Sequence, residues 1–191
     1  LLLSTKSNSL DQDIPVGVPG KNTTANALLR FWATGESVTY ETEYAVFDKL
    51  YHDLLNADRI QSLVIHENRF TYEQDGLHLI CDLGEYWEKK TEAPIPLGGI
   101  VIRRDLGTDV ARQVDGLIQR SVEFAWDNPG KSESFIREHA QETKESVVKS
   151  HIGLYVNDFS AHMGDKGKVA IERLQQLIAP EFDDEKSLFA Y

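Results

Sequence analysis

Asp13–Ala33 reads DIPVGVPGKNTTANALLRFWA. Its first third is an apolar run, Asp13–Val18, of strand length, closed by Pro19-Gly20, a pair that turns the chain. Asn22, Thr23 and Thr24 follow, and Asn and Thr are residues that cap helix N-termini. Ala25–Ala33 then carries apolar residues at helical spacing. A strand, a turn and a capped helix make a βα unit, and the rest of the chain shows whether the unit repeats.

It does. Leu1–Thr5 precedes it as a strand. Ser37–Tyr40 is a short β-branched strand. Tyr44–Leu55 places Tyr44, Phe47, Leu50, Tyr51, Leu54 and Leu55 three and four residues apart, one face of a helix. Ile60–Ile65 and Leu77–Cys81 are strands, Asp82–Lys90 is a short helix, and Gly98-Gly99 opens a strand over Ile100–Arg103. This order predicts an α/β fold with a largely parallel sheet covered by helices. Beyond Asp105 the pattern is helical only: Val110–Ala125 up to Asn128-Pro129-Gly130, then Ser132–Gln141, Lys144–Tyr155 and Lys166–Ile178. The strands LLLSTKS at the start and GGIVIRRD near residue 100 bracket the α/β part. Set side by side, they make a two-stranded connection between two lobes, with a cleft at the hinge.

The 191 residues carry 31 acidic against 20 basic side chains, a net charge of −11. That balance disfavours nucleic acid as a partner. No apolar run reaches the roughly 20 residues of a membrane span. The single cysteine, Cys81, sits in the apolar run LHLIC and reads as a small buried hydrophobe. Cysteine scarcity fits a reducing, cytoplasmic setting. The first residue is Leu and a strand is already under way, which reads as part of a longer polypeptide.

Two stretches carry candidate chemistry. In Pro19–Ala25, PGKNTTA, the helix start offers hydroxyls, open backbone N–H groups and a positive dipole end, all suited to a carboxylate or phosphate. In Ser62–Thr71, SLVIHENRFT, an apolar strand ends in His66, Glu67, Asn68 and Arg69. An imidazole at such a strand end is a general base, a ligand donor or a loop residue. Glu67 and Arg69 read as residues that hold the loop by pairing. The remaining histidines, His52, His78, His139, His151 and His162, are scattered without metal-ligand spacing, so no metal site and no cofactor are expected.

Taken together, VPGKNTTA, LVIHENRFTY, DLGEYWEKKTEAPIPLGGIVIRRDLG and LYVNDFS closely resemble the 1,4-dihydroxy-6-naphthoate synthases of the futalosine route to menaquinone. The likeness runs over nearly the whole chain, in the family's order and spacing. It implies the two-lobed fold of type II periplasmic binding proteins: Leu1–Asn8 as a hinge strand from an incomplete first lobe, residues 9–97 as the second α/β lobe, and residues 98–191 as a return strand and helices packing on the first lobe. It implies a carbon–carbon lyase acting on the small molecule cyclic dehypoxanthine futalosine. The family's base falls on His66 and its substrate contacts on Thr24 and Ala25. The family's N-terminal portion, with a Pro-Asn-Asp segment and further contacts, has no counterpart here. The expectation is therefore that this chain alone is inactive and self-associates through surface that the first lobe would cover. The rival readings are a non-catalytic small-anion solute-binding protein of the same fold, a chorismate dehydratase of the same pathway, and a ligand-sensing regulatory domain.

Overall fold

The protein is described from a computed structural model. The structure describes residues 1–140, 144–180 and 188–189, and the side chains of all of these except His66 and Glu67. The chain divides into two compact units, Leu1–Ile95 and Pro96–Tyr191.

The first unit is built on a mixed sheet of five strands: β1 (Leu2–Ser4), β2 (Val16–Val18), β3 (Thr42–Tyr44), β4 (Gln61–Leu63) and β5 (His78–Cys81), in the order β3-β2-β4-β1-β5. β2 pairs parallel with β3 and with β4, while β1 pairs antiparallel with β4 and β5. Four strands therefore point one way and β1 alone runs against them, which refines the largely parallel expectation. Helices α1 (Thr24–Gly35) and α2 (Phe47–Leu55) make the crossovers that parallel neighbours require. Leu2 and Leu3 are adjacent, point to opposite faces and are both fully buried, so both faces of the sheet are covered. On one face Leu3, Val64 and Leu77 pack with Tyr51 and Leu54 of α2. Gly17 is needed where β2, β4 and α2 meet. A Cβ there would lie 2.5 Å from Ser62 Oγ and 2.8 Å from Leu50 Cδ2. Elsewhere in the unit α1 and α3 (Leu83–Thr91) pack together, with the Phe31 ring edge-on to Tyr86 and Trp87 at 5.9 and 5.3 Å.

Buried polar groups in the sheet are paired. Gln61 Nε2 donates to the carbonyls of Asp11 (2.8 Å) and Ile14 (2.6 Å), and its Oε1 accepts from the Asp11 N–H. Ser62 Oγ donates to the Gly17 carbonyl at 3.1 Å. These bonds remove the penalty of burying an amide and a hydroxyl.

The strand expected over Ser37–Tyr40 lies instead at Thr42–Tyr44. α1 runs on to Gly35, and its last carbonyls take the next N–H groups: Glu36 donates to Trp32, Ser37 to Thr34 and Val38 to Ala33 (2.8 Å). Ser37 enters the left-handed region at φ +55°. The β-branched Val38 thus spends its N–H on a helix end and has none for a ladder. Tyr44, expected in the next helix, belongs to β3.

The second unit is helical: α4 (Thr108–Asp127), α5 (Pro129–His139), α6 (Glu145–Tyr155), α7 (Asp158–Ala161) and α8 (Gly164–Ile178). Pro129, expected to follow a helix, opens α5 at its first position, where its missing N–H costs nothing. α7 has no counterpart in the helical pattern of the sequence. It is a single turn made by the Asn157 capping box, in which Asn157 accepts from Phe159 N–H while Ser160 Oγ accepts from Asn157 N–H. Ile100–Arg103, expected as a strand, forms none. Val101 is 92% exposed, and the segment makes no ladder with the described residues. Propensity alone does not make a strand; a partner's main chain must satisfy it. Among the described residues of this unit only Ala111, Val147 and Ala170 are buried apolar side chains, while Leu117, Phe124 and Phe135 on the helices are exposed.

Candidate active site

β2 and β4 are parallel neighbours, with Gly17 opposite Ser62, so the loops after Val18 and after Leu63 leave the sheet at the same edge. β5 points the same way and ends there too, at Cys81. In sheets of this kind the carboxyl edge is where ligands bind. The three segments that gather there are Pro19–Ala25, the turn that starts at His66, and the start of α3 at Asp82.

The first segment is stitched to itself. Thr23 caps α1: its hydroxyl accepts from the Asn26 N–H (3.2 Å) and donates to the Gly20 carbonyl (2.9 Å). The Asn26 side chain, buried, donates to the Lys21 carbonyl at 2.8 Å. With Asn26 and Ala27 supplied by Thr23, the N–H groups of Thr24 and Ala25 are the ones left open in the first turn, with no partner among the described residues. No acidic residue stands in that turn. Thr24 and Ala25 are half-buried. The helix presents an unfilled positive end, two N–H groups and one hydroxyl, a set that suits a carboxylate.

The third segment is filled. Asp82 caps α3 with Oδ1, which accepts from Gly84 N–H (2.9 Å) and Glu85 N–H (3.2 Å). Its Oδ2 accepts from Arg69 Nη2 at 2.9 Å. A protein carboxylate thus already occupies the positive end of α3.

The second segment, His66–Phe70, is a 3-10 turn rather than a plain loop. His66 opens it by backbone position; its side chain, and that of Glu67, lie outside the described residues. Arg69 holds the turn by pairing, as its sequence context suggested, through Asp82. Just beyond, Tyr51 of α2 donates a short bond of 2.5 Å to Asp75 Oδ2 and lies 3.2 Å from the Thr71 hydroxyl. Burial, and then the bond to Asp75, push the Tyr51 phenol up to about 12, so it stays a donor throughout the neutral range. Asp82 and Tyr51 do not stand out in the sequence as site residues. For Asp82 a signal exists: Asp82-Leu83-Gly84-Glu85 has the spacing of an N-cap followed by an acid three residues on.

Cys81 lies beside this edge. Burial first, and the Asp82 charge second, push its thiol up to about 11, which leaves it protonated and weakly nucleophilic at neutral pH. A depression of about 390 Å³ opens at the opposite edge of the sheet, before β2 and β4, lined by Lys49, Asp53, Asp58 and Arg59 among others. Within it Lys49 pairs with Asp53 at 2.7 Å and Arg59 with Glu43 at 2.9 Å, and it holds none of the candidate residues. Among the described residues no group of three or more His, Cys, Asp and Glu side chains stands where it could hold a metal ion. No described helix is long and apolar enough to cross a membrane.

Residues 1–180 match the family model described as menaquinone biosynthesis. The chain belongs to the menaquinone biosynthesis family. Two relatives within it are each named 1,4-dihydroxy-6-naphtoate synthase. The one from Streptomyces coelicolor is 40% identical over 185 residues, 95% of this chain and 65% of its own length. The one from Thermus thermophilus is 40% identical over 163 residues, 85% of this chain and 58% of its own length. The chain thus spans about three fifths of the relatives it matches. The crystal structure of a protein from Archaeoglobus fulgidus superposes with a TM-score of 0.81 at 28% identity, covering 95% of this chain and 67% of that one. The mixed α/β architecture is shared with a solved protein, and the family assignment rests on nearly the full chain.

Proposed function

We propose that the chain is the part of a 1,4-dihydroxy-6-naphthoate synthase that holds and deprotonates the substrate. In this reading the reaction is the lyase step that converts cyclic dehypoxanthine futalosine to 1,4-dihydroxy-6-naphthoate. The N–H groups of Thr24 and Ala25 and the Thr24 hydroxyl receive the aromatic carboxylate. His66 takes a proton from the substrate, and the electron pair that this frees drives cleavage of the bond to the sugar-derived part, which leaves. The family's relatives supply the reaction class through their names. The observation that carries the assignment of the binding corner is the unfilled N-terminus of α1 beside the turn that His66 opens.

The finer architecture goes with it. The first unit is one complete lobe of a two-lobed fold of the type II periplasmic-binding-protein kind, and residues 98–191 belong to the other lobe. The exposed Leu117, Phe124 and Phe135 support that, because helices of this size ordinarily bury such side chains. The same surface supports self-association of the chain. The setting is the cytoplasm, in keeping with a single cysteine in the chain and a biosynthetic family. Incubating the intact protein with cyclic dehypoxanthine futalosine and identifying the product by mass spectrometry tests the function. Appearance of the dihydroxynaphthoate supports it; unconsumed but tightly bound substrate would favour a solute-binding protein instead.

A further inference from the structure

We infer that Arg69 and Asp82 are positioning residues, which set the turn carrying His66 by anchoring it to the cap of α3. The inference rests on the functional reading above. The β4 ladder ends at Leu63, and the last main-chain ties before the turn are both at Val64, whose N–H donates to the Leu1 carbonyl and whose carbonyl accepts from the Leu1 nitrogen, each at 2.9 Å. The turn itself is five residues of 3-10 helix, long for a form with poor hydrogen-bond geometry. After it the first N–H bond, Thr71 to the Asn68 carbonyl, is long at 3.3 Å. Main-chain bonds alone hold such a segment loosely, and a base must be placed to well under an ångström.

Side chains make up the difference. Asp82 is a fixed post: its chain neighbour Cys81 is paired to Leu2 in the ladder, and its Oδ1 is committed to two N–H groups of α3. Oδ2 is then left pointing at Arg69 with its position already determined. The Arg69 guanidinium reaches it at 2.9 Å while lying 5.9 Å from the centre of the neighbouring Phe70 ring. Both partners are largely shielded, 32% and 20% exposed, so the pair is less screened than the surface pairs of the helices. On the far side, Tyr51 fixes Thr71 and Asp75 from a buried position on α2. The turn is thereby held from α3 within it and from α2 just after it.

The test uses Arg69→Met, which keeps the stem over Phe70 and removes the charge, and Asp82→Asn, which keeps a capping oxygen and removes the charge pair. In the intact protein, amide hydrogen exchange over residues 66–72 should quicken by about tenfold in both variants, with α1 unchanged. Turnover should fall by about 10²-fold while KM stays within about twofold. Unchanged exchange in folded variants overturns the inference, and so does a rise in KM at native turnover, which would make Arg69 a substrate contact. The exchange measurement reads the anchor whether or not His66 is the base. Failure of the functional reading, seen as native turnover in His66→Ala, is therefore separable from failure of the anchor.

Discussion

α1 and α3 both start at the carboxyl edge of one sheet, and their first turns have opposite chemistry. α3 is closed by a carboxylate of its own chain, Asp82, which takes two N–H groups and a guanidinium. α1 is closed by a neutral hydroxyl, Thr23, which takes one N–H and leaves those of Thr24 and Ala25 open. Each helix end carries a partial positive charge worth about half an elementary unit. Where the protein supplies the anion, the field stabilises the fold. Where it withholds the anion, the field is left for a ligand. On this account α1 binds and α3 holds, so substitutions at the two ends should separate in kinetics.

The largest effect belongs to the residue that does neither. His66→Ala should lower turnover by about 10² to 10⁴-fold with substrate binding retained. Steady-state kinetics on both proteins checks this, and a loss confined to KM would move His66 to the binding side of the comparison.

Next is Thr24→Val, which removes the hydroxyl at α1 without changing shape. Substrate binding should weaken by about 1–3 kcal/mol, read by calorimetry, while turnover at saturation changes little. A fall in turnover at constant affinity would erase the distinction between the two ends.

Smaller again is Tyr51→Phe, behind the turn. Loss of its bonds to Asp75 and Thr71 should cost about 1 kcal/mol of stability at neutral pH. Burial first, and the bond to Asp75 second, raise the phenol's pKa to about 12 in the folded protein against an ordinary value near 10. Its stabilising contribution is therefore complete below about pH 10 and is lost as pH rises from there through 12. Denaturant midpoints for wild type and variant should converge over that interval. A gap that persists above it would assign the effect to packing.

Of similar size is Thr23→Ala, which removes the neutral cap and should cost about 1 kcal/mol in thermal unfolding with the open N–H groups of Thr24 and Ala25 still present. Substrate affinity falling in step with stability would mean that the cap and the binding corner are one structure.

Much of this arrangement was legible in the chain, for reasons that differ by residue. The capping signal of Thr23 is local and appears where sequence placed it, while the chain bends at Pro19 and makes its turn two residues later, at Lys21-Asn22. The strand before His66 ends in the apolar run Leu63-Val64-Ile65, and β4 falls within two residues of the bounds expected from it. What escaped was set by hydrogen-bond partners that composition does not reveal. Val38 looks like strand until α1 takes its N–H. Ile100–Arg103 has the composition of a strand, but no ladder partner stands among the described residues. Asp82 could be read as a cap, yet that its second oxygen receives Arg69, thirteen residues earlier, depends on β5 delivering it to the edge where β4 ends.

Ala25→Asp tests the central contrast most directly, because it gives α1 the acid that its first turn lacks. An acid in the first turn should leave the helix as stable or add about 0.3–1 kcal/mol, read by thermal unfolding. The same carboxylate should repel the substrate's and weaken its binding by about 10²-fold, read by calorimetry on the same samples. Undiminished stability together with lost affinity is the result predicted; undiminished affinity in the folded variant would contradict the account, because the open end of α1 would then not be the place where the substrate's charge is received.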